Sequence, residues 1–203
     1  MQSKDLTGIH IEGHIKIWNP ETKEVFVNKR NAIHYENIST ALANSLSNNT
    51  DGGFISQMAF GNGGTAVDPT GIITYFTPNT NGSNASLYNQ TYAKVVNQNS
   101  NNNTDPSRNF IETRHTTGTN YTDLFVTCLL DYGEPSTQSA FDTVTNSNSQ
   151  YVFDELGLIS YNTDGTSLLL THVVFHPVLK SLNRLIQIDY TVRIQSLTGL
   201  VGV

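Results

Sequence analysis

The strongest constraint on the fold is the alternation of apolar and polar residues near the carboxy terminus. From residue 151 to 195 the chain reads as three strands separated by two turns. Residues Asn162–Gly165 supply the first turn, and Pro177 is expected to end the second strand. The third strand, Arg184–Gln195, alternates with the period of two that a half-buried strand requires. We therefore expect a β-sheet protein.

The amino-terminal part shows the same alternation and then a change of period. Residues 6–18 place four isoleucines on one face of a predicted strand. Asn19–Thr22 supplies turn chemistry for a return arm at Glu24–Val27, which predicts a hairpin. Between Ile33 and Ser47 apolar residues recur at steps of three and four, which predicts an amphipathic helix.

The middle of the chain mixes short strand candidates with polar loops. Residues 65–120 are interpreted as long loops that decorate a sheet and are ordered by neighbouring subunits, and the Asn-rich tract at 97–106 is interpreted as a loop insertion. The predicted fold is one domain over residues 1–203. It is a mainly β, antiparallel, jelly-roll-like β-sandwich with one amphipathic helix and long Asn-rich loops. The predicted strands of this region are 54–60, 72–76, 91–96, 109–115 and a central strand at 121–130.

Composition and charge argue against several classes of protein. Lys and Arg number 11 against 17 Asp and Glu, a net charge of -6, so a nucleic-acid backbone would be repelled. The sequence shows no basic membrane-binding helix, no signal peptide, and no run near the roughly 18 apolar residues of a membrane span. We expect a soluble protein made in a cytoplasm. Cys128 is the single cysteine, which predicts a buried free thiol without an internal disulfide.

Histidines on the predicted strands are the candidates for metal binding. His10, Glu12 and His14 share one strand face, with successive side chains about 6.5 Å apart. A further ligand from His34 or His115 would be needed to complete a site. A solvated polar face explains the pattern equally well, so we expect no metal and no cofactor. For His172 and His176, which also share a face, a turn-capping or interface role is expected.

A glycine cluster follows the predicted strand at 54–60. It lacks the Gly-Lys-Ser/Thr ending of a phosphate loop, and Thr65–Pro69 is not a helix start. We therefore expect a tight structural turn that uses positive backbone angles. The residues predicted to form structural turns are Gly61, Gly63, Gly64, Asp164 and Gly165.

Two pairs of carboxylates could be considered as the acid and base of a glycosidase. Asp154 and Glu155 are neighbours on a strand, so their side chains are expected on opposite faces. Asp131 and Glu134 surround a turn. The sequence has no G-x-S-x-G elbow, and Cys128 lies in mid-strand. We expect no enzymatic activity and interpret Asp154 and Glu155 as edge or turn residues.

Four segments carry turn and packing signals: Gln57–Gly64, Tyr151–Leu158, Asp164–Gly165 and Leu169–His172. Together they resemble the structural proteins of tailed bacteriophages. More narrowly, they resemble the amino-terminal attachment domains of tail fibres and related baseplate or collar proteins. The sequence continues into no fibre shaft, so the resemblance implies a free-standing adaptor, collar, baseplate or head-decoration subunit. Two further segments, Ile15–Asn19 and Arg30–Ile38, are similar to those of virion proteins from marine and cyanobacterial phages.

The resemblance implies a non-enzymatic structural subunit located in the virion. Its partners would be further copies of itself, in a ring or trimer, and other virion proteins, joined through sheet edges and loops. The last strand is the expected edge that faces a partner. Its predicted interface residues are Leu185, Ile186, Ile188, Tyr190, Val192 and Ile194.

Two alternatives remain open from the sequence. An exterior head-decoration or receptor-binding module could use Tyr75, Phe76, Tyr88 and Tyr92 as stacking platforms for a host glycan. A depolymerase that cleaves host polysaccharide would rest on scattered acidic residues alone.

Overall fold

The computed structural model describes residues 8–49, 51–136, 150–162 and 164–197. Within these residues the chain forms twelve strands and one α-helix, and every strand pairing is antiparallel. The prediction of a mainly β, antiparallel, sandwich-like fold with one helix is therefore confirmed. The first seven residues, which include the start of the predicted strand at 6–18, and residues 137–149 of the polar loop before Tyr151 lie outside the described residues.

The strands are unequal in length, and the longest are those with the clearest alternation in sequence. The helix α1 spans Tyr35–Leu46. The strands are β1 (Gly8–Trp18), β2 (Val25–Ile33), β3 (Gln57–Gly61), β4 (Thr65–Val67), β5 (Ile73–Tyr75), β6 (Gln90–Val95), β7 (Phe110–His115), β8 (Tyr121–Leu130), β9 (Gln150–Tyr161), β10 (Ser167–Leu169), β11 (Thr171–Ser181) and β12 (Ile186–Leu197).

Ten strands form one curled sheet in the order β6-β3-β9-β11-β2-β1-β12-β8-β7, with β10 beside β9. Strands β4 and β5 form a separate two-stranded sheet. Buried apolar residues from β1, β2, β8 and β12 share one core with residues from β3, β9 and β11. The two halves of the curled sheet therefore pack face to face, as the layers of a sandwich do.

The sheet turns over at strand β11. The first residues of β11, Thr171 and His172, pair with Ile33 and Ala32 of β2. The rest of β11 pairs with β9 instead. A strand that changes partner along its length joins the two layers at a corner.

Aromatic side chains fill the centre of the core. The ring of Phe153 lies 5.5 Å from that of Phe60 and 5.7 Å from that of Phe175, in both cases edge to face. Cys128 is fully buried in the same core, and the predicted free thiol is confirmed. Burial raises the pKa of this thiol to about 12, which makes it a poor nucleophile.

Helix α1 covers one end of the sandwich. Its amino terminus is capped by His34, whose Nδ1 accepts a hydrogen bond from the backbone N–H of Asn37 at 3.2 Å. Ile38 and Leu42 pack on the core, and Ala41 is buried, as the three- and four-residue spacing predicts. The predicted apolar face is shorter than expected, because Leu46 is exposed.

The prediction that the last strand is a free edge is wrong. Strand β12 pairs with β1 on one side and with β8 on the other. Four of the six residues proposed as an interface have their side chains in the core, since the alternation points them inward. Those four are Ile186, Ile188, Tyr190 and Val192, while Leu185 and Ile194 are half-buried.

The three carboxy-terminal strands do not form one meander. Strand β11 pairs with β9, whereas β12 lies among the amino-terminal strands. Pro177 does not end its strand either, because β11 continues to Ser181 across a shift of register between Val174 and Val178. Proline lacks the N–H that the ladder needs, and an irregularity of this kind accommodates it.

The Asn-rich segment is held by contacts within the chain. It connects β6 to β7, the two strands at opposite ends of the sheet order. The Asn103 side chain donates to the carbonyl oxygens of Asn97 and Asn109 at 3.2 and 2.8 Å. The Asn109 side chain in turn accepts from the backbone N–H of Leu129 at 2.9 Å. Ordering of this segment therefore does not depend on a neighbouring subunit.

Candidate interaction site

Two adjacent carboxylates lie in the middle of strand β9, with 3% of Asp154 and 0% of Glu155 exposed. Strand β9 runs between β3 and β11, so neither residue is at an edge. Both side chains bond the segment Gly63–Thr65, which connects β3 to β4. The interpretation of these acids as edge or turn residues is therefore wrong. We call Asp154 and Glu155 the acidic anchor.

Glu155 accepts four hydrogen bonds. Its Oε1 accepts from the backbone N–H groups of Gly63 and Asn89 at 3.1 and 2.8 Å. Its Oε2 accepts from the backbone N–H of Tyr88 and from Nε2 of His172, both at 3.0 Å. Burial raises the pKa of Glu155, but these donors outweigh burial and hold the pKa below its ordinary value.

Asp154 bonds the next residues of the same segment. It accepts from the backbone N–H groups of Gly64 and Thr65, each at 2.9 Å, and from the Thr65 hydroxyl. Burial raises the pKa of Asp154, and the hydrogen bonds offset only part of that rise. The two acids together hold the turn between β3 and β4.

His172 extends the acidic anchor to a second loop. Its ring is fully buried, and Nδ1 accepts a hydrogen bond from the backbone N–H of Asn79 at 2.8 Å. Because Nδ1 accepts, the ring proton is on Nε2, which donates it to Glu155. The imidazole is therefore neutral in this geometry, and the contact is a hydrogen bond between His172 and a carboxylate.

The glycine cluster is required because a side chain would not fit there, and not because the backbone adopts a positive φ angle. In the described residues, positive φ occurs at six glycines, and Gly61, Gly63 and Gly64 are not among them. A Cβ at Gly61 would lie 2.5 Å from Oε1 of Glu155 and from the carbonyl oxygen of Asn89. The expectation that this turn uses positive backbone angles is therefore wrong. The glycines allow the backbone to approach the buried carboxylates.

Three exposed aromatic side chains lie at the end of β5 and on the loop before β6. Tyr75 is 50% exposed, Phe76 41% and Tyr88 43%. The rings of Phe76 and Tyr88 lie 5.4 Å apart, edge to face. The Tyr75 hydroxyl lies 3.2 Å from Nδ1 of His176, which places this histidine beside the group. We call Tyr75, Phe76 and Tyr88 the aromatic surface.

Tyr88 connects the aromatic surface to the acidic anchor. Its backbone N–H donates to Glu155, and its hydroxyl donates to the carbonyl oxygen of Thr77 at 2.5 Å. Its ring also lies 5.7 Å from the ring of His172. Because the backbone N–H and the hydroxyl of Tyr88 are both hydrogen-bonded, its exposed ring is fixed in position before any partner binds.

Tyr92 lies apart from the aromatic surface. Its ring packs 6.0 Å from Phe60 in the core, and burial raises the pKa of its hydroxyl. The predicted turn residues Asp164 and Gly165 lie in a separate exposed turn between β9 and β10. Gly165 has φ of +84° there, and Asp164 accepts from the backbone N–H and hydroxyl of Thr166 at 2.8 and 2.7 Å.

The metal candidates do not converge. Glu12 pairs with Arg30 at 3.5 Å on the outer face of β1. The two residues considered as further ligands lie elsewhere, since His34 caps α1 and His115 Nδ1 lies 3.0 Å from the carbonyl oxygen of Tyr121. In the described ranges no group of three or more His, Cys, Asp or Glu side chains is placed to hold a metal ion.

The contact between Glu155 and His172 is the feature that sequence reasoning missed. Strand alternation predicts that the side chains of Asp154 and Glu155 point to opposite faces, yet both bond the turn after β3. A signal was present, because two acids and a histidine lie within otherwise apolar strands. Buried polar groups need partners, and the backbone N–H groups of a nearby glycine turn can supply them.

Comparisons with known proteins leave the chain without a family. No protein-family description, no curated protein and no solved structure matches it. In the described part of the chain, no helix has the length and apolar character needed to span a lipid bilayer. The geometry of the aromatic surface and the acidic anchor is therefore the basis for a proposed function.

Proposed function

We propose that the protein is a non-enzymatic structural subunit of a tailed-phage virion, a tail, baseplate or neck adaptor that contacts other subunits through the aromatic surface. The observation that carries this proposal is the exposure of three aromatic rings, of which Tyr88 is bonded to the buried anchor, Phe76 packs against Tyr88 and Tyr75 lies beside His176. The resemblance of the sequence to phage attachment and collar proteins supplies the setting. Location in the virion and assembly with further copies are parts of the same proposal.

The bonding of the polar groups supports a structural role for this region. Both carboxylates and the imidazole are buried, and backbone N–H groups occupy their acceptor atoms. A catalytic acid or base must lie within hydrogen-bonding reach of the substrate atom that gains or loses the proton. Here the same atoms hold two loops to the sheet.

The aromatic surface suits association. Tyrosine and phenylalanine combine a large contact area with few rotatable bonds, so little conformational entropy is lost when they are buried. Two further apolar residues, Val67 of β4 and Ile72 beside β5, are exposed nearby in sequence. Such a group of exposed apolar side chains on rigid loops is typical of an interface.

Substitution of Tyr88 tests the assembly proposal. Tyr88→Ala keeps the backbone N–H that donates to Glu155, so the loop remains anchored while the ring is lost. We expect self-association, measured by sedimentation velocity over a range of concentrations, to weaken by about tenfold or more. Tyr35→Ala removes an exposed tyrosine from α1 and should leave association unchanged.

Virion preparations provide the second test. An antibody against the protein should label assembled particles at one defined position. A protein that stays monomeric at every concentration and does not associate with virions would contradict the proposal.

A second candidate function is recognition of a host glycan or receptor by an exterior module. Exposed aromatic rings can stack on sugar rings, and the side-chain amides of Asn79 and Asn89, which bond Ser86 and Asn62, lie on the loops that His172 and Glu155 hold. Binding on a glycan array that disappears in Tyr88→Ala, with an unchanged sedimentation coefficient, would favour this function over assembly.

A further inference from the structure

An apolar pocket lies between α1 and the curled sheet. Its volume is about 390 Å³. This lies within the range of roughly 300–1,000 Å³ that small-molecule sites occupy. Six apolar residues that are only partly buried line it and leave carbon surface open to the pocket. They are Ile38, Leu42, Ile55, Ile111, Leu124 and Ile194.

The pocket lies where the sheet fails to close. Strands β6 and β7 are the two ends of the sheet order, and the chain crosses from one to the other directly after β6. The Gln98 side chain bridges this gap by donating to the carbonyl oxygen of Ile111 at 3.0 Å and accepting from its N–H at 2.9 Å. One side-chain amide thus replaces a backbone pairing. The space beside it is not filled by a strand.

The chemistry of the lining defines what can bind. None of the described residues that line the pocket is ionisable. A charged ligand would lose its hydration there without gaining a counter-charge, which is costly. Asn97 and Asn99 line the same pocket. Oδ1 of Asn97 already accepts from the backbone N–H of Asn99 at 2.9 Å, so the NH₂ group of Asn97 and the side-chain amide of Asn99 are the groups that can bond an uncharged polar atom.

We propose that this pocket binds one uncharged, largely apolar small molecule, with a hydrocarbon body against α1 and a neutral polar end at the Asn97 and Asn99 amides. The site is separate from the aromatic surface and does not depend on the proposed assembly function. A mainly apolar concavity with a few amides at one end is the usual form of such sites.

Two fluorescent probes that share one aromatic skeleton and differ by a sulfonate group test the proposal. N-phenyl-1-naphthylamine is neutral, and its sulfonated relative 8-anilino-1-naphthalenesulfonate is anionic. We expect the neutral probe to bind saturably with one site per chain. The anionic probe should bind weaker by about tenfold or more, because its sulfonate finds no partner in the pocket.

A matched pair of helix variants locates the site. Ser45 lines the pocket from an exposed position on α1, so Ser45→Phe fills the pocket without replacing a core residue. It should lower the affinity for the neutral probe by about tenfold or more, with the helical circular dichroism unchanged. Ser39→Phe changes an exposed serine of the same helix that does not line the pocket, and affinity should be kept.

Three outcomes would overturn the proposal. One is the absence of saturable binding of the neutral probe, and another is equal affinity for both probes. The third is a self-association that Ser45→Phe abolishes while wild-type protein binds no probe. In that last case the pocket would be a contact between copies of the chain.

Discussion

At the scale of single residues, Glu155 holds several segments of the chain together by hydrogen bonds. One carboxylate receives donors from the turn after β3, from the loop before β6 and from β11. The backbone N–H groups among these donors are partly buried, and without the carboxylate they would lose their acceptor. Replacing the carboxylate therefore affects three segments of the chain at once.

Glu155→Gln tests this dependence. The amide keeps one oxygen acceptor, but its NH₂ group must face the donors of either His172 and Tyr88 or Gly63 and Asn89. We expect the free energy of unfolding to fall by about 3 kcal/mol, because buried donors lose their acceptor. Urea unfolding measures the change. Asp164→Asn alters an exposed turn carboxylate whose contacts an amide oxygen can keep, and it should change stability little.

The pH dependence of the same variant has a defined sign. The folded pKa of Glu155 is below its ordinary value, so its stabilising contribution is present above that value and is lost as the pH falls through the folded pKa. Wild-type protein should therefore lose more stability on acidification below pH 4.5 than Glu155→Gln does. Parallel acid titrations of the two proteins would contradict this assignment.

Lys180 is a buried cation whose Nζ donates to the carbonyl oxygens of Asp131 and Ser181 at 3.0 and 2.8 Å. Burial lowers its pKa to about 8, against the opposing influence of Glu134 and Asp131. Between pH 8 and 10.5 the unfolded chain binds the extra proton, so the free energy of unfolding attributable to Lys180 rises with pH in that window.

Lys180→Met removes this titration. Urea unfolding of both proteins at pH 7 and pH 10 should show the wild type gaining about 2 kcal/mol relative to the variant over this interval. Comparison at each pH cancels the other groups that titrate, including Cys128. A difference between the two proteins that is constant with pH would show that the ammonium is not destabilised by burial.

At the scale of elements, the gap between β6 and β7 depends on Gln98. Its amide makes the two bonds to Ile111 that a paired residue would make. Gln98→Ala should lower the free energy of unfolding by about 1–2 kcal/mol, because both bonds are lost. The Ile111 amide should also exchange faster with solvent. Asn102→Ala, an exposed change in the same segment, should do neither.

At the scale of the whole molecule, local patterns predict which segments are strands but not which segments are neighbours. The alternation in β1 and β12 and the apolar run of β8 identify the strands, and β8 has its predicted bounds of Tyr121–Leu130. The position of β12 between β1 and β8 depends on contacts far apart in sequence, which periodicity does not encode.

The same limit applies to the candidate sites. Exposed aromatics at Tyr75, Phe76 and Tyr88 could be proposed from composition, but their grouping depends on loops held by Glu155 and His172. Tyr92 has a similar sequence context and lies against the core instead. The apolar pocket has no sequence signal of its own, because its lining comes from elements spread over the chain.

The central position of β12 has a consequence for synthesis of the protein. Strand β1 is made early and β8 near the middle of the chain, yet both need β12 as a hydrogen-bonding partner. Until residues 186–197 leave the ribosome, two long strands have an unpaired side, which is a hazard for aggregation. Completion of the sheet is therefore a late event, and a nascent chain arrested before β12 should need a chaperone to remain in solution.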